Sequence, residues 1–260
     1  MSFVVDKWYL DLVTADGVVV VGYRLAVRWL AFDLQMASRL RAAPGEATDE
    51  RSTPHETSIP NPAGGHLSWS APTLGLQADY EALDPPILCT LLDSPGGSIE
   101  WSCLMPRARA SVVTAGVRHD GVGYAEHLRL TLAPWAFPFH TVRWGRHLSE
   151  QHALVWIEWD GREERRLTWL DGVPQPSARV AATGLDGLTD GRHLRWRDGH
   201  DVTRRRVGAT LAAVAPSLGA LLAGRLGSMQ EHKQCARSSL VDPHGVPLDD
   251  GWAIHEAVTW

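Results

Sequence analysis

The sequence predicts a mainly β protein, built as two β-barrel or β-sandwich domains with one short helical segment near 207–226. Three observations carry this. Short apolar runs alternate with polar residues at a period of two, the mark of a half-buried strand. In the second half such runs recur roughly every ten residues between turn residues, the spacing of a barrel or sandwich. Only 207–226, rich in Ala, Leu and Gly, reads as a helix.

The elements follow in order. Residues 7–12 and 18–29 are apolar runs around Ala15-Asp16-Gly17, a hairpin signal. The proline- and glycine-rich stretch 42–65 reads as a long loop or a pair of irregular edge strands. Residues 67–80 look extended. Asp93-Ser94-Pro95-Gly96-Gly97 is a turn, leading into a strand with Ile99, Trp101 and Cys103 on one face and Ser98, Glu100 and Ser102 on the other. Residues 107–115 continue that alternation, and the glycines of 116–123 mark a turn or a crossing between halves. Strands are then expected at 124–133, 139–148, 153–159, 163–170, 178–185 and 193–196, and at 238–241 and 252–260 after the helix. The domains are expected at 1–120 and 121–260.

Composition narrows the function. The net charge of -5 gives no general nucleic-acid footprint, and Arg204, Arg205 and Arg206 read as a solvated strand end. Cys89, Cys103 and Cys235 are too few and too scattered for a disulfide framework or a zinc site, so reduced thiols in a cytoplasmic protein are expected. The first residues lack the basic and apolar regions of a signal peptide. Residues 207–226 are interrupted by Pro216 and several glycines, and suit a helix packed on the protein better than a membrane span. Twelve tryptophans against four phenylalanines and four tyrosines suggest strand faces or the lining of a cavity. No glycine-rich phosphate loop and no serine nucleophile elbow occurs, so no nucleotide or other cofactor is expected.

Gly123-Tyr124-Ala125-Glu126-His127, Trp135, Val142-Arg143-Trp144-Gly145-Arg146 and Leu154-Val155-Trp156-Ile157-Glu158-Trp159 form a signature. With the stretch 93–106, Glu231-His232-Lys233 and the ending Gly251-Trp252-Ala253-Ile254-His255-Glu256, it resembles the hydroxyneurosporene synthase (carotenoid hydratase) group. The resemblance runs from about residue 84 onward. It implies two lipocalin-like (calycin) β domains and cofactor-independent hydration, cyclisation or rearrangement of an apolar isoprenoid, polyene or polyketide. Tocopherol cyclases and lipocalin-like Diels–Alderases are similar in architecture.

Protonating an isolated double bond needs a carboxylic acid kept neutral by apolar surroundings. Glu126 is the first candidate, on the same strand face as Tyr124 and opposite His127. Trp101, Trp135, Trp144 and Trp156 are candidates for an aromatic, substrate-binding wall that would stabilise a cation, with His127 beside them. Tyr124 or Arg143 could polarise a carbonyl in a pericyclic reaction. Glu126 equally fits an ion pair with Arg143 or Arg146, Tyr124 a packed ring bonded to a backbone carbonyl, and Arg143 a solvent-facing site. Glu126-His127, Glu231-His232 and His255-Glu256 each offer at most one ligand to a site, since neighbours on a strand face opposite ways, so no metal is expected. They are read as groups satisfying one another where the last strand closes the second barrel. The rival function is a non-catalytic carrier of an apolar ligand. An apolar small-molecule partner is common to both, and peripheral membrane contact stays open.

Overall fold

The computed structural model describes residues 3–54, 56–206 and 228–259. The helix expected at 207–226 lies outside the described residues. No helix among them is long and apolar enough to cross a membrane.

The described residues form two curled antiparallel sheets. The first contains β1 (Val4–Val13), β2 (Val19–Trp29), β3 (Phe32–Ala42), β4 (Asp49–Thr53), β5 (Asn61–Ala63), β6 (His66–Ala71), β7 (Leu76–Ala82), β8 (Ile87–Ser94), β9 (Gly97–Thr114) and β10 (Val117–Leu130). The second contains β11 (Phe139–Leu148), β12 (Ala153–Gly161), β13 (Arg165–Leu170), β14 (Val173–Pro174), β15 (Arg179–Ala181), β16 (Gly184–Asp186), β17 (His193–Arg206), β18 (Gln230–Val241) and β19 (Pro247–Thr259). The first sheet runs β4-β3-β2-β1-β10-β9-β7-β6-β5, with β8 also on β9. The second runs β14-β13-β12-β11-β19-β18-β17-β16-β15. The two orders follow one plan: four strands meander outward, and the last strand returns to pair with the first.

Several expected elements appear with their signals. Asp16-Gly17 lies between β1 and β2, and Pro95-Gly96 between β8 and β9. Residues 42–65 hold the short edge strands β4 and β5. Two full strands, β3 and β8, were not expected: their polar outer residues blur the alternation. The passage between the sheets lies at 131–138. Residues 116–123, where a turn or a crossing was expected, hold the β9–β10 turn and the start of β10, and β10 stays in the first sheet.

Pro106 decides a detail that matters for the site. Proline has no N–H for a ladder. It lies where β9 changes partner, from β8 (Ile87 opposite Cys103) to β7 (Ala82 opposite Ala108). On its other edge the β9–β10 register shifts, between Gly123 and Ala125 and again between Ala125 and Glu126. Such irregularities re-aim side chains, and this one holds Tyr124 and Glu126.

Strand parity sets the packing. On β1, Trp8, Leu10 and Leu12 turn into a core inside the first sheet with Trp69, Tyr80 and Met105. Tyr9 turns the other way, into the space between the sheets, with Trp101, Tyr124, Trp144 and Trp159. Leu154, Trp156 and Leu194 fill the far side of the second sheet.

One ion pair joins the sheets at the bottom of that shared space. Asp11 of β1 and Arg146 of β11 are both fully buried and bonded to each other, with Arg146 Nε 3.3 Å from Asp11 Oδ2. Arg146 also donates to the Trp252 carbonyl at 3.1 Å. Tyr80 donates to the Asp11 carbonyl at 3.0 Å. The β17–β4 side adds Arg205 between Glu231 and Glu50.

Two predictions follow from this packing. Arg146→Met strands a buried carboxylate and should cost about 3–5 kcal/mol in denaturant unfolding, while the Asp11→Leu/Arg146→Met double variant recovers most of it; a single-variant loss below about 1 kcal/mol would contradict the role of the pair. His147 is fully buried, bonded through Nδ1 to Ser238 at 2.7 Å, and burial with the nearby Arg146 pushes its pKa down to about 3. The unfolded histidine takes up its proton near pH 6.5 and the folded one does not until about 3. Stability should therefore fall across that window as pH drops, by at most about 1.4 kcal/mol per pH unit from this residue. His147→Gln should flatten the slope measured by unfolding at several pH values; an unchanged slope would refute the assignment.

Candidate active site

A cavity of about 270 Å³ opens between the sheets. Period-two alternation supplies its walls. β1 contributes Lys7 and Tyr9, β9 Ile99 and Trp101, and β10 Glu126, Leu128 and Leu130. Val142 and Trp144 come from β11, Ile157 and Trp159 from β12, and Glu256 and Val258 from β19. A second cavity of about 250 Å³ adjoins it and shares Lys7, Met229, Glu256 and Val258 with it.

Glu126 is the carboxylate on the aromatic side of the first cavity. It is 6 % exposed. Its Oε2 accepts two bonds, from Trp101 Nε1 at 2.6 Å and from the Tyr124 hydroxyl at 2.7 Å. Among the described residues Oε1 has no hydrogen-bond donor. Burial, with Cys103 and Glu126 close by, pushes the Tyr124 phenol well above its usual range, so it stays a donor. Trp101 stacks on Trp169 of the second sheet at 5.3 Å, which fixes the indole that holds Glu126. The ring of Trp144 meets Tyr9 at 5.1 Å and Tyr124 at 5.4 Å, edge to face.

The opposite end carries charge. Lys233 of β18 is 1 % exposed and paired with Glu256 of β19. Its Nζ lies 4.5 Å from the Tyr9 ring centre, 5.1 Å from that of Trp144 and 5.5 Å from that of Tyr23. Burial alone would lower the lysine's pKa, but Glu256, Tyr23 and Glu231 outweigh it and hold the ammonium above its usual range. Burial would raise Glu256, yet Lys233 and Lys7 hold it below the usual range. Both groups are charged at neutral pH.

Four buried donors in these walls have no partner among the described residues: the hydroxyls of Tyr9 and Tyr23, and Nε1 of Trp144 and Trp159. Buried polar atoms are normally satisfied. All four belong to residues that line these two cavities.

The structure thus brings together Glu126, Tyr124, Trp101 and Trp144. Glu126 bonds neither Arg143 nor Arg146, and Tyr124 bonds the Glu126 carboxylate instead of a backbone carbonyl. The other four expected site residues lie elsewhere. Arg143 neighbours Trp144 on β11, so it faces the other way and pairs with Asp160 at 2.7 Å, its side chain 43 % exposed. Trp156 turns to the far face of the second sheet, over Gly145, where a Cβ would come within 2.2 Å of its ring; it stacks on Trp196 at 5.8 Å. His127 is opposite Glu126 in parity, pairs with Asp6 at 3.1 Å and lies against Trp8. Trp135 packs on Phe3 and Trp29 outside the cavity and is 39 % exposed.

The acid–histidine neighbours do not satisfy one another. Glu231 pairs with Arg205, His232 with Asp201 and Glu256 with Lys233, while His255 stacks on Trp196. No metal-holding cluster is found among the described residues. The three cysteines are free thiols; burial pushes Cys235 up to about 12 and Cys103 well above its usual range, so neither is a nucleophile at neutral pH.

Lys7, Tyr9, Tyr23, Trp159, Lys233 and Glu256 were missed by sequence reasoning. Parity could have found Trp159: it shares a face with Val155 and Ile157, opposite to Trp156.

No protein-family model matches the sequence, and no curated protein sequence does. Solved structures do. A provisionally assigned AttH protein of Nitrosomonas europaea is 12% identical, covers 98% of this chain and 92% of its own, and superposes with a TM-score of 0.62. CghA is 13% identical over 99% of this chain and 88% of its own, with a TM-score of 0.54. CghA with Sch210972 gives 0.52 at the same identity and coverage. The likeness shows the fold: a two-part lipocalin-like β architecture, matched along nearly the whole chain.

Proposed function

We propose that this protein is a cofactor-independent enzyme that hydrates, cyclises or rearranges an apolar small molecule of the isoprenoid, polyene or polyketide kind, in the cavity between the sheets. One observation carries the reading. Glu126, the carboxylate on the aromatic side of the cavity, has one oxygen tied by Trp101 and Tyr124 and the other without a donor among the described residues. A carrier has no need of such a group. That CghA has been crystallised with a small molecule, Sch210972, supports a ligand site in this architecture.

The chemistry follows from the two oxygens. Oε2 accepts two hydrogen bonds, which leaves Oε1 as the oxygen able to carry a proton to a substrate. In a hydration, Oε1 gives that proton to one alkene carbon. The cation formed on the other carbon lies beside the new carboxylate and the indole faces of the cavity. Water adds to it, and the proton it sheds returns to Oε1. In a cyclisation a second double bond takes the place of water, and a proton lost from carbon returns to Glu126. In a pericyclic step the cavity holds the reactive conformer, while the Trp144 or Trp159 N–H polarises a carbonyl.

The test is incubation of the protein with a crude apolar extract of its host, followed by mass spectrometry of the bound and released compounds. Wild type should return one bound compound chemically changed. Glu126→Gln should bind the same compound and return it unaltered, with turnover down at least about 100-fold. Release of an unchanged compound by wild type would favour the carrier, and turnover by Glu126→Gln would remove Glu126 from the mechanism.

A further inference from the structure

The walls of the two cavities differ in kind. The first is mostly aromatic and aliphatic around Glu126. The second adds Tyr23, Ser38, Arg205 and Glu231 to the shared Lys7 and Glu256. Its charges are largely matched inside the protein: Lys233 with Glu256, and Arg205 with Glu231 and Glu50. Lys7 is matched less closely: among the described residues it has no carboxylate within 4 Å and no hydrogen bond, acts on Glu256 only from farther off, and lines both cavities. Its Nζ lies 5.4 Å from the Tyr23 ring centre and 6.0 Å from that of Tyr9. Those are the two tyrosines whose buried hydroxyls lack a partner, and they are 9 % and 1 % exposed.

An ammonium without a direct ion pair, near the rings of two tyrosines whose hydroxyls lack a partner, is complementary to an anionic oxygen. A cation there would face Lys7 and Lys233 together. An alkyl group would leave both hydroxyls buried and unsatisfied. We propose that the ligand is an amphiphile with a carboxylate or enolate head. The head binds Lys7, Tyr9 and Tyr23 at the junction of the two cavities, and the apolar body extends along the aromatic wall toward Glu126. The inference rests on the cavity being the ligand site. It adds the polarity and direction of the ligand, and makes Lys7 and Tyr23 specificity residues that act at a distance from the reacting carbons. The two cavities, about 270 and 250 Å³, together have the size of ordinary small-molecule sites.

The experiment titrates the full protein with dodecanoate, dodecanol and dodecyltrimethylammonium, reading quenching of the cavity tryptophans. Dodecanoate should bind about tenfold more tightly than dodecanol, the usual worth of a charged hydrogen bond. Lys7→Met should abolish that preference by weakening dodecanoate alone. Tyr23→Phe, which removes an unsatisfied hydroxyl and keeps the ring, should weaken dodecanoate severalfold and spare dodecanol. Equal affinity for carboxylate and alcohol, equal losses for both in Lys7→Met, or tightest binding of the trimethylammonium would each overturn the anionic-head assignment while leaving the apolar cavity as a ligand site. No binding of any of the three would overturn the cavity itself, and this inference with it.

Discussion

The Asp11–Arg146 pair is the constraint on which the rest of the arrangement depends. Two charges withdrawn from water must meet within hydrogen-bond reach, or the fold carries an uncompensated ion. Asp11 is on β1 and Arg146 on β11, the first strands of their sheets. Their contact fixes the distance between the sheets and also the face each strand presents. Once Asp11 points across, so do Lys7 and Tyr9. Once Arg146 points back, so do Trp144 and Val142. The Asp11–Arg146 pair spans the two sheets, while Lys233 and Glu256 pair within the second sheet and put charge on its cavity face. A purely apolar interface would be free to close by interdigitation.

The cavity walls are therefore two-sided. One side, on β9, β10 and β12, is mostly aromatic and aliphatic and holds Glu126. The other, on β2, β18 and β19, carries the charges. In the function proposed above, a reactive hydrocarbon would lie on the first side and a polar head on the second. Neighbours of the same fold at 12–13% identity show that the architecture persists through nearly complete replacement of side chains.

Much of the fold was legible. Alternation in 98–115 and the regular spacing of the second half gave strands, because one face of each is buried and the other is not. β3 and β8 escaped because polar residues, the buried Arg39 and the more open Arg41 and Thr90, interrupt the apolar runs. At the site, Tyr124 and Glu126 were legible as a same-face pair. Trp101 and Trp144 were legible as aromatics on apolar faces. Three of the four expected residues that lie outside the cavity do so for one reason; the fourth, Trp135, sits in the 134–136 turn between the sheets, where strand parity does not apply. Arg143 beside Trp144, and His127 beside Glu126, cannot face the same side of a strand, and Trp156 and Trp159 cannot either. Which parity points inward is set by the partner sheet, through Asp11 and Arg146, and no local pattern records it. Lys233 and Lys7 were hidden for a further reason: lysines on strands usually face solvent, and only tertiary partners such as Glu256 and the Tyr9 ring bring one inside.

The space between the sheets is an open cavity with Glu126 in its wall, and the proposed function requires it to take an apolar ligand. A crystal structure of the protein soaked with 1-bromododecane tests it most directly, since bromine is located by its anomalous scattering. The account predicts a bromine site in the space bounded by Trp101, Trp144 and Trp159, with the alkyl chain in contact with Glu126. Side chains of the two sheets closed on one another with no bromine between them, or bromine found instead beside Trp156 and Trp196 on the far face of the second sheet, would contradict it.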